Sequence, residues 1–171
     1  RPAVSDQSLA ELARAELAAI APEARCDRLA ETSALFHTAG TLHLRGRGQL
    51  DLNLDLAESA AARRAVSLLR SFRISSEIRT YRRHAFDGAM RYQLVVGGGE
   101  HARGVLAEAG VLTRDGTPLE RPQGQLVARP CCRAAYLRGA FLGAGSLSGP
   151  RDPHLEVRTP THAGAAFVRS V

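Results

Sequence analysis

The spacing of apolar residues along the chain changes repeatedly between the period of a helix and the period of a strand. Four segments carry apolar residues three or four positions apart, which predicts helices; they are residues 8–20, 23–39, 57–72 and 100–109. Four segments between them alternate apolar and polar residues, which predicts strands; they are residues 41–45, 49–54, 76–83 and 91–96. This order predicts an α+β fold with antiparallel sheets that are apolar on one face.

The first predicted helix, residues 8–20, has clear boundaries. Ser8 and Glu11 have the spacing of a capping box, and Pro22 ends the helix. Its apolar residues share one face: Leu9, Leu12, Ala13, Leu17 and Ile20. We therefore expect residues 1–22 to form a packing helix that covers one side of the domain.

The stretch that organises the rest of the chain is residues 131–147, where a further helix is predicted. Pro130 suits a first helical turn, and Gly145 stands where glycine commonly follows a helix end. Gly139 and Gly143 lie four residues apart, and therefore on one face. A glycine costs a helix about 1 kcal/mol relative to alanine, so this pair indicates close approach of another backbone.

The partner is predicted to be residues 23–39, because an internal repeat with an offset of 105 positions relates the two segments. Seven pairs in seventeen positions are identical: Cys26/Cys131, Arg28/Arg133, Ala30/Ala135, Phe36/Phe141, Ala39/Ala144, Gly40/Gly145 and Leu42/Leu147. With the same offset, Leu50 falls on Leu155 and Leu52 falls on Val157. The repeat thus keeps the apolar positions of the following strand as well.

The repeat divides the chain into two half-domains. Residues 23–110 would form the first, residues 111–130 a linker rich in proline and glycine, and residues 131–171 the start of the second. The second includes a predicted strand at 154–159 and a helix that begins near Thr161. By the length of the first half-domain the second is incomplete, so we expect the chain to belong to a longer protein.

Residues 137–145 resemble a degenerate form of the LAGLIDADG motif of homing endonucleases. Residues 131–148 and 154–157 resemble more closely the WhiA family, bacterial transcription regulators of sporulation and cell division. The resemblance covers residues 26–171 and implies a LAGLIDADG-like fold. It also implies that duplex DNA is bound mainly through a C-terminal helix-turn-helix domain, expected outside this sequence, and that a WhiB-type regulator is a partner.

In active nucleases of this kind, both paired helices end in an acid that binds divalent metal ions. The matching positions are Ala39 and Ala144, whose methyl groups cannot bind a metal. The other acids considered are predicted away from those positions: Asp27, Glu31, Asp152 and Glu156. We therefore expect no catalytic residue, metal or cofactor and no enzymatic activity. The helix pair would remain as a seam that includes Ala39, Gly40, Gly139, Gly143 and Gly145.

Two further patterns are interpreted as structural. Ser33, His37 and Thr38 do not form a Ser/His/Asp arrangement, and we expect them on the helix surface or in the seam. Residues 97–99 are three glycines, but no Gly-Lys-Ser/Thr follows them, so they predict a flexible turn rather than a phosphate-binding loop. We assign no nucleotide and no small-molecule substrate.

The cysteines are Cys26, Cys131 and Cys132, an odd number without CxxC spacing. Adjacent cysteines do not readily bind one tetrahedral zinc ion together. We therefore favour buried thiols at helix starts in a reducing compartment over a metal site.

The formal net charge is +6, and all 23 basic residues are arginine, a type that suits phosphate contacts. The polar face of the predicted sheet is the candidate DNA surface, with arginines on that face or near its turns: Arg45, Arg47, Arg79, Arg82, Arg83 and Arg91. Tyr81 would share this face with Asp51 and Asp55. A solvated face of paired charges is therefore the alternative.

Three functional hypotheses follow. In the first, this domain assists a DNA-binding transcription regulator; in the second, it docks a WhiB-type partner and does not touch DNA. An active endonuclease is the third, and the alanines oppose it. No apolar run approaches the roughly 18 residues of a membrane span, so we expect no membrane association and a cytoplasmic, nucleoid-associated protein.

Overall fold

The computed structural model describes residues 8–45, 49–84, 88–149 and 151–171. The helices are α1 (Leu9–Ala19), α2 (Arg25–Ala39), α3 (Ser59–Ser71), α4 (Glu100–Glu108), α5 (Pro130–Ala144) and α6 (His162–Ser170). The strands are β1 (Gly40–Arg45), β2 (Gln49–Leu56), β3 (Ser76–Arg82), β4 (Met90–Val96), β5 (Gly145–Ser148) and β6 (His154–Val157). None of the helices in these ranges has the length and apolar character needed to cross a bilayer.

The strands form two antiparallel sheets, as the alternation predicts. The first has the order β1-β2-β4-β3, and β5 pairs with β6 in the second. Alternate residues of β2 are buried against helices: Leu50, Leu52, Leu54 and Leu56. One face of the first sheet is therefore dry, and the predicted α+β architecture is confirmed.

The internal repeat is visible in the element boundaries. Helix α5 begins and ends 105 positions after α2. Strands β5 and β6 likewise begin 105 positions after β1 and β2. The same local sequence pattern thus produces the same helix-strand-strand unit twice.

Helix α1 packs against the main core through Leu17 and Ala18, and a polar attachment adds to these contacts. The capping box of Ser8 and Glu11 is present, but none of the residues of α1 is buried, and Leu9 and Leu12 are 43% and 46% exposed. Arg14 also donates hydrogen bonds to Glu58, at 2.8 Å, and to the carbonyl oxygen of Gly145. A half-buried arginine side chain therefore contributes to holding α1, which the apolar pattern alone did not indicate.

The predicted linker is packed rather than loose. Val111 and Leu112 belong to the main hydrophobic core, and Leu112 forms a bridge with Pro118. Leu126 and Val127 lie in a 3-10 turn that packs against a second apolar cluster between α2, α5 and α6. The glycines and prolines of residues 111–130 thus shape a folded connection.

His37, predicted on the helix surface or in the seam, lies buried against the segment that follows α4. Its Nε2 lies 2.9 Å from the carbonyl oxygen of Gly110, and the side chain is 7% exposed. Burial lowers the pKa of His37 below 6.5, although the Gly110 bond opposes the shift. Ser33 is also fully buried, and Thr38 donates to the Ala34 carbonyl oxygen at 2.7 Å.

This burial predicts a pH-dependent stability. The unfolded chain protonates His37 near pH 6.5 and the folded chain only at lower pH, so the unfolded state gains protons first as the pH falls. The free energy of unfolding of the native chain, relative to the His37→Asn variant, should be constant above pH 6.5 and decline below it. Denaturant titrations of both proteins across this range would measure it; a constant difference would contradict the assignment.

Candidate functional site: a helix seam and a polar sheet face

Helices α2 and α5 pack against each other in parallel, with repeat-related residues in contact. A Cβ atom added to Gly139 would lie 2.4 Å from the carbonyl oxygen of Glu31 and 3.0 Å from the Ala34 Cβ. One added to Gly143 would lie 2.1 Å from the Thr38 Oγ1. Gly139 therefore lies against the backbone of α2 and Gly143 against the Thr38 side chain, so both lie where the helices approach closely.

Gly40 and Gly145 close the two helices and begin the strands that follow. Their backbones are extended, with φ values of −81° at both positions. A Cβ atom at Gly40 would lie 2.3 Å from the Phe36 carbonyl oxygen, and one at Gly145 would lie 2.2 Å from the Phe141 ring. These two glycines are thus required by the turn at the end of their own helix rather than by contact across the seam.

Ala39 and Ala144 are the last residues of α2 and α5. Asp27 and Glu31 are the acids within the two helices, both on α2, and α5 has none. Neither acid lies at the helix ends where the nuclease motif has its carboxylates.

Glu31 lies within the seam but away from the helix ends, as expected. Its carboxylate accepts two hydrogen bonds from Arg64 of α3, both 2.8 Å, and one from Arg138 of α5 at 2.9 Å. Glu31 is 0% exposed, and the two arginine side chains are 6% and 9% exposed. One buried carboxylate therefore ties three helices together by charge-assisted hydrogen bonds.

The three cysteines meet at the opposite end of the seam, where α2 and α5 begin. With Asp27 they form a group, here called the Cys–Asp cluster (Cys26, Asp27, Cys131 and Cys132), whose thiol and carboxylate atoms all lie within 4.8 Å of one another. Cys132 is buried and Cys26 is half-buried, but Cys131 is exposed, so the prediction of buried thiols is wrong for Cys131.

The cluster shifts the pKa values of its members. Burial disfavours the ionised Asp27 carboxylate, but hydrogen bonds from the three thiols outweigh this and lower the pKa of Asp27. Burial, reinforced by Asp27 and the other thiols, raises the pKa of Cys132. Without a bound cation, Asp27 therefore carries the negative charge and the Cys132 thiol keeps its proton.

The polar face of the first sheet holds some of the predicted arginines. The strand register places Arg79 beside Gln93, and Tyr81 beside Arg91, on the face opposite the core leucines. The backbone of Arg45 pairs with that of Gln49 at the end of β1. Arg83 is exposed just beyond β3, and Arg47 lies outside the described residues.

Several charges on this face are already paired. Arg79 bonds to Glu77 at 3.0 Å, and Arg91 bonds to Asp55 at 3.1 Å. Asp55 also accepts a 2.6 Å hydrogen bond from Tyr81, which raises the pKa of that phenol. The face therefore combines both signs of charge, as the alternative interpretation expected.

Arg82 is placed differently from the other arginines. It pairs with Met90 in the register, so alternation directs it to the side of Tyr92 and the core. Its guanidinium lies 3.5 Å from the Gly88 carbonyl oxygen at the sheet edge. Arg82 therefore does not belong to the polar face.

The duplicated units joined by paired glycine-bearing helices define a LAGLIDADG-like domain. Residues 25–112 match the WhiA N-terminal LAGLIDADG-like domain, and residues 133–171 match the WhiA LAGLIDADG-like domain. The chain belongs to the WhiA family.

Two relatives carry the name "Probable cell division protein WhiA". The protein of Heliobacterium modesticaldum is 37% identical over 152 residues, which cover 86% of this chain and 48% of the relative. The protein of Alkaliphilus oremlandii is 34% identical over 170 residues, which cover 96% of this chain and 53% of the relative. The chain thus spans about half the length of the curated relatives it matches.

Solved structures support the same fold. Full-length DUF199/WhiA from Thermatoga maritima superposes with a TM-score of 0.67 at 18% identity, covering 96% of this chain and 49% of that one. I-DmoI, solved in complex with DNA and Mn, gives a TM-score of 0.50 at 10% identity, covering 84% of this chain and 74% of that one. At these identities the likeness establishes the fold alone.

Proposed function

We propose that the chain is the non-catalytic LAGLIDADG-like part of a WhiA-type protein that binds duplex DNA and regulates transcription of cell-division and sporulation genes. The observation that carries the non-catalytic part is the pair of alanines, Ala39 and Ala144, at the ends of the seam helices. Metal-assisted hydrolysis needs oxygen ligands at such a position, and a methyl group supplies none.

DNA binding is supported by the arginines on the polar face and by the DNA complex of I-DmoI, a protein with a related fold. Arg79 is 58% exposed and Arg83 is exposed, so both guanidinium groups are accessible to a phosphate. Arg79 is paired with Glu77 and Arg91 with Asp55, and these ion pairs reduce the positive charge that the face offers to a phosphate. The domain would therefore assist DNA binding, while a helix-turn-helix outside residues 1–171 reads the sequence.

This proposal assigns roles to the parts of the chain. Residues 23–110 and 131–171 would be the two half-domains, residues 111–130 their connection and residues 1–22 an accessory helix. The protein would act in the cytoplasm, at the nucleoid, as expected of a regulator that occupies DNA.

Arg79→Ala tests the DNA surface against Arg63→Ala, which removes the same charge from the exposed side of α3. Fluorescence anisotropy with a labelled duplex should show affinity that falls as salt rises. Losing one phosphate contact should reduce the slope of log affinity against log salt by about 0.9 for Arg79→Ala and leave it unchanged for Arg63→Ala. Equal behaviour of the two variants would contradict a role for this face.

The second candidate is a protein-interaction domain that docks a WhiB-type partner without contacting DNA. The observation that favours it is the pairing of Arg79 and Arg91 with acids of the same sheet, because paired arginines have less charge to offer a phosphate. It predicts no measurable duplex affinity at low salt. Partner binding, measured by calorimetry, would then be insensitive to both salt and Arg79→Ala.

A further inference from the structure

The Cys–Asp cluster follows the symmetry of the fold. Cys26 and Cys131 are related by the 105-residue repeat, and so are Asp27 and Cys132. Each helix therefore contributes two adjacent side chains at equivalent positions of its first turn. Their four ligand atoms lie within 4.8 Å of one another, and the Cys26 Sγ lies 3.7 Å from the Asp27 Oδ1.

These distances are close to those around a single zinc ion. Zinc in structural sites binds four ligands in a tetrahedron with a Zn–S distance of about 2.3 Å, which separates two ligating sulfurs by about 3.8 Å. To bind one zinc ion, the most distant ligand atoms would have to come closer by about 1 Å, through rotation of their side chains. Three thiolates and a carboxylate are also donors that zinc accepts, whereas magnesium and calcium take oxygen ligands.

The surroundings favour the negative charge of such a ligand set. Both helices point their N-termini towards the cluster, and neither Ala24 nor Arg129, at the N-cap positions, makes a side-chain capping hydrogen bond. Helix N-termini stabilise anionic ligands, and two of them act here together. Arg138 adds a positive charge nearby.

The cluster is also accessible from solvent. Cys26 and Cys132 line an open groove that runs beside α4 and the segment that leads into α5. Cys131, next to Cys132 on α5, is exposed. An ion therefore has an entry path to the site.

We infer that Cys26, Asp27, Cys131 and Cys132 form a structural zinc site that joins the two half-domains at the start of the seam. Two adjacent cysteines do not readily bind one zinc ion on their own. Here both sulfurs of α5 lie near two further ligands, the Cys26 sulfur and the Asp27 carboxylate. With four protein ligands the ion keeps no open position, so the site would stabilise the fold and perform no hydrolysis.

The 171-residue chain, purified under reducing conditions without chelator, provides the test. Mass spectrometry for metals should find about one zinc ion per chain, and after removal of the zinc, Co²⁺ should give the visible bands of tetrahedral thiolate coordination. Absence of zinc together with absence of those bands would overturn the inference. A stoichiometric iron–sulfur cluster, or a disulfide between Cys26 and Cys131 under the same conditions, would also overturn it.

Variants test each ligand, with Co²⁺ as the probe. Cys132→Ser should weaken binding at least about 100-fold, because even loss of an outer-shell partner costs 10- to 100-fold. Asp27→Asn should weaken binding, whereas Asp152→Asn, in an exposed loop, should not. Asp27→Cys, which copies Cys132 of the repeat, should bind more tightly and raise the thiolate charge-transfer intensity by about one third.

A measurement on the native chain covers the case in which a variant fails to fold. Zinc should slow the reaction of Cys26 and Cys131 with iodoacetamide, and a chelator should restore it, because a metal-bound thiolate is a poor nucleophile. If Cys26 and Cys131 were alkylated equally fast in the presence of zinc and in the presence of a chelator, the inference would be overturned.

Discussion

Replacing Glu31 with alanine is expected to lower the free energy of unfolding by about 3–5 kcal/mol, because it leaves Arg64 and Arg138 buried without their carboxylate. Both guanidinium groups are less than a tenth exposed, so water cannot replace the lost hydrogen bonds without opening the seam. Chemical denaturation followed by circular dichroism measures the change.

Glu77→Ala is the matched control, since it also removes a carboxylate bonded to an arginine. Glu77 and Arg79 are 64% and 58% exposed, so their separation should not measurably change stability. If Glu31→Ala changed the free energy of unfolding as little as Glu77→Ala, the Glu31 carboxylate would not hold the three helices together. Glu31→Gln should be intermediate, because it keeps the shape and part of the hydrogen bonding while removing the charge.

The second large effect is expected at Gly139. In Gly139→Ala, the new Cβ would lie 2.4 Å from a backbone oxygen of α2, and the helices must separate to accept it. Overpacking of this kind costs about 1–3 kcal/mol, even though alanine favours a helix more than glycine does. Thermal or denaturant unfolding of the variant gives the cost.

The same substitution at Gly104 is expected to have the opposite effect on the free energy of unfolding. Gly104 is exposed within α4, and a Cβ there would meet nothing within 4 Å. Alanine should therefore stabilise the chain by about 0.5–1 kcal/mol through helix propensity alone. A loss of similar size at both glycines would mean that the close approach of α2 and α5 does not explain Gly139.

The helix pair was predictable from sequence because its signals are local. Gly139 and Gly143 have the spacing of one turn, and the repeat then identifies α2 as the partner. The strands were predictable for the same reason, since the leucines of β2 alternate with polar residues. The strand register then follows largely from which face must be buried.

The contacts between distant charged residues could not be predicted in this way. Glu31 bonds to Arg64, 33 positions away, and to Arg138, 107 positions away. A period of 3.6 residues gives the face of a helix but not the partner of a side chain on that face. The pattern thus places Glu31 away from the helix ends but does not identify the two arginines that it binds.

The sequence contains the signal for the Cys–Asp cluster in its internal repeat. Cys26 and Cys131 were recognised as a repeat pair, and the pairing of α2 with α5 was predicted. Together these imply that both cysteines meet at the start of the seam, with Cys132 opposite Asp27.

The central claim is that the paired helices hold the half-domains together but do not cut DNA. The most direct test incubates the chain with supercoiled plasmid in Mg²⁺ or Mn²⁺, at protein concentrations for which anisotropy shows the duplex to be bound. We expect the plasmid to stay supercoiled at every metal concentration, because Ala39 and Ala144 provide no ligand. Nicking or linearisation that requires the metal and stops when a chelator is added would contradict the claim.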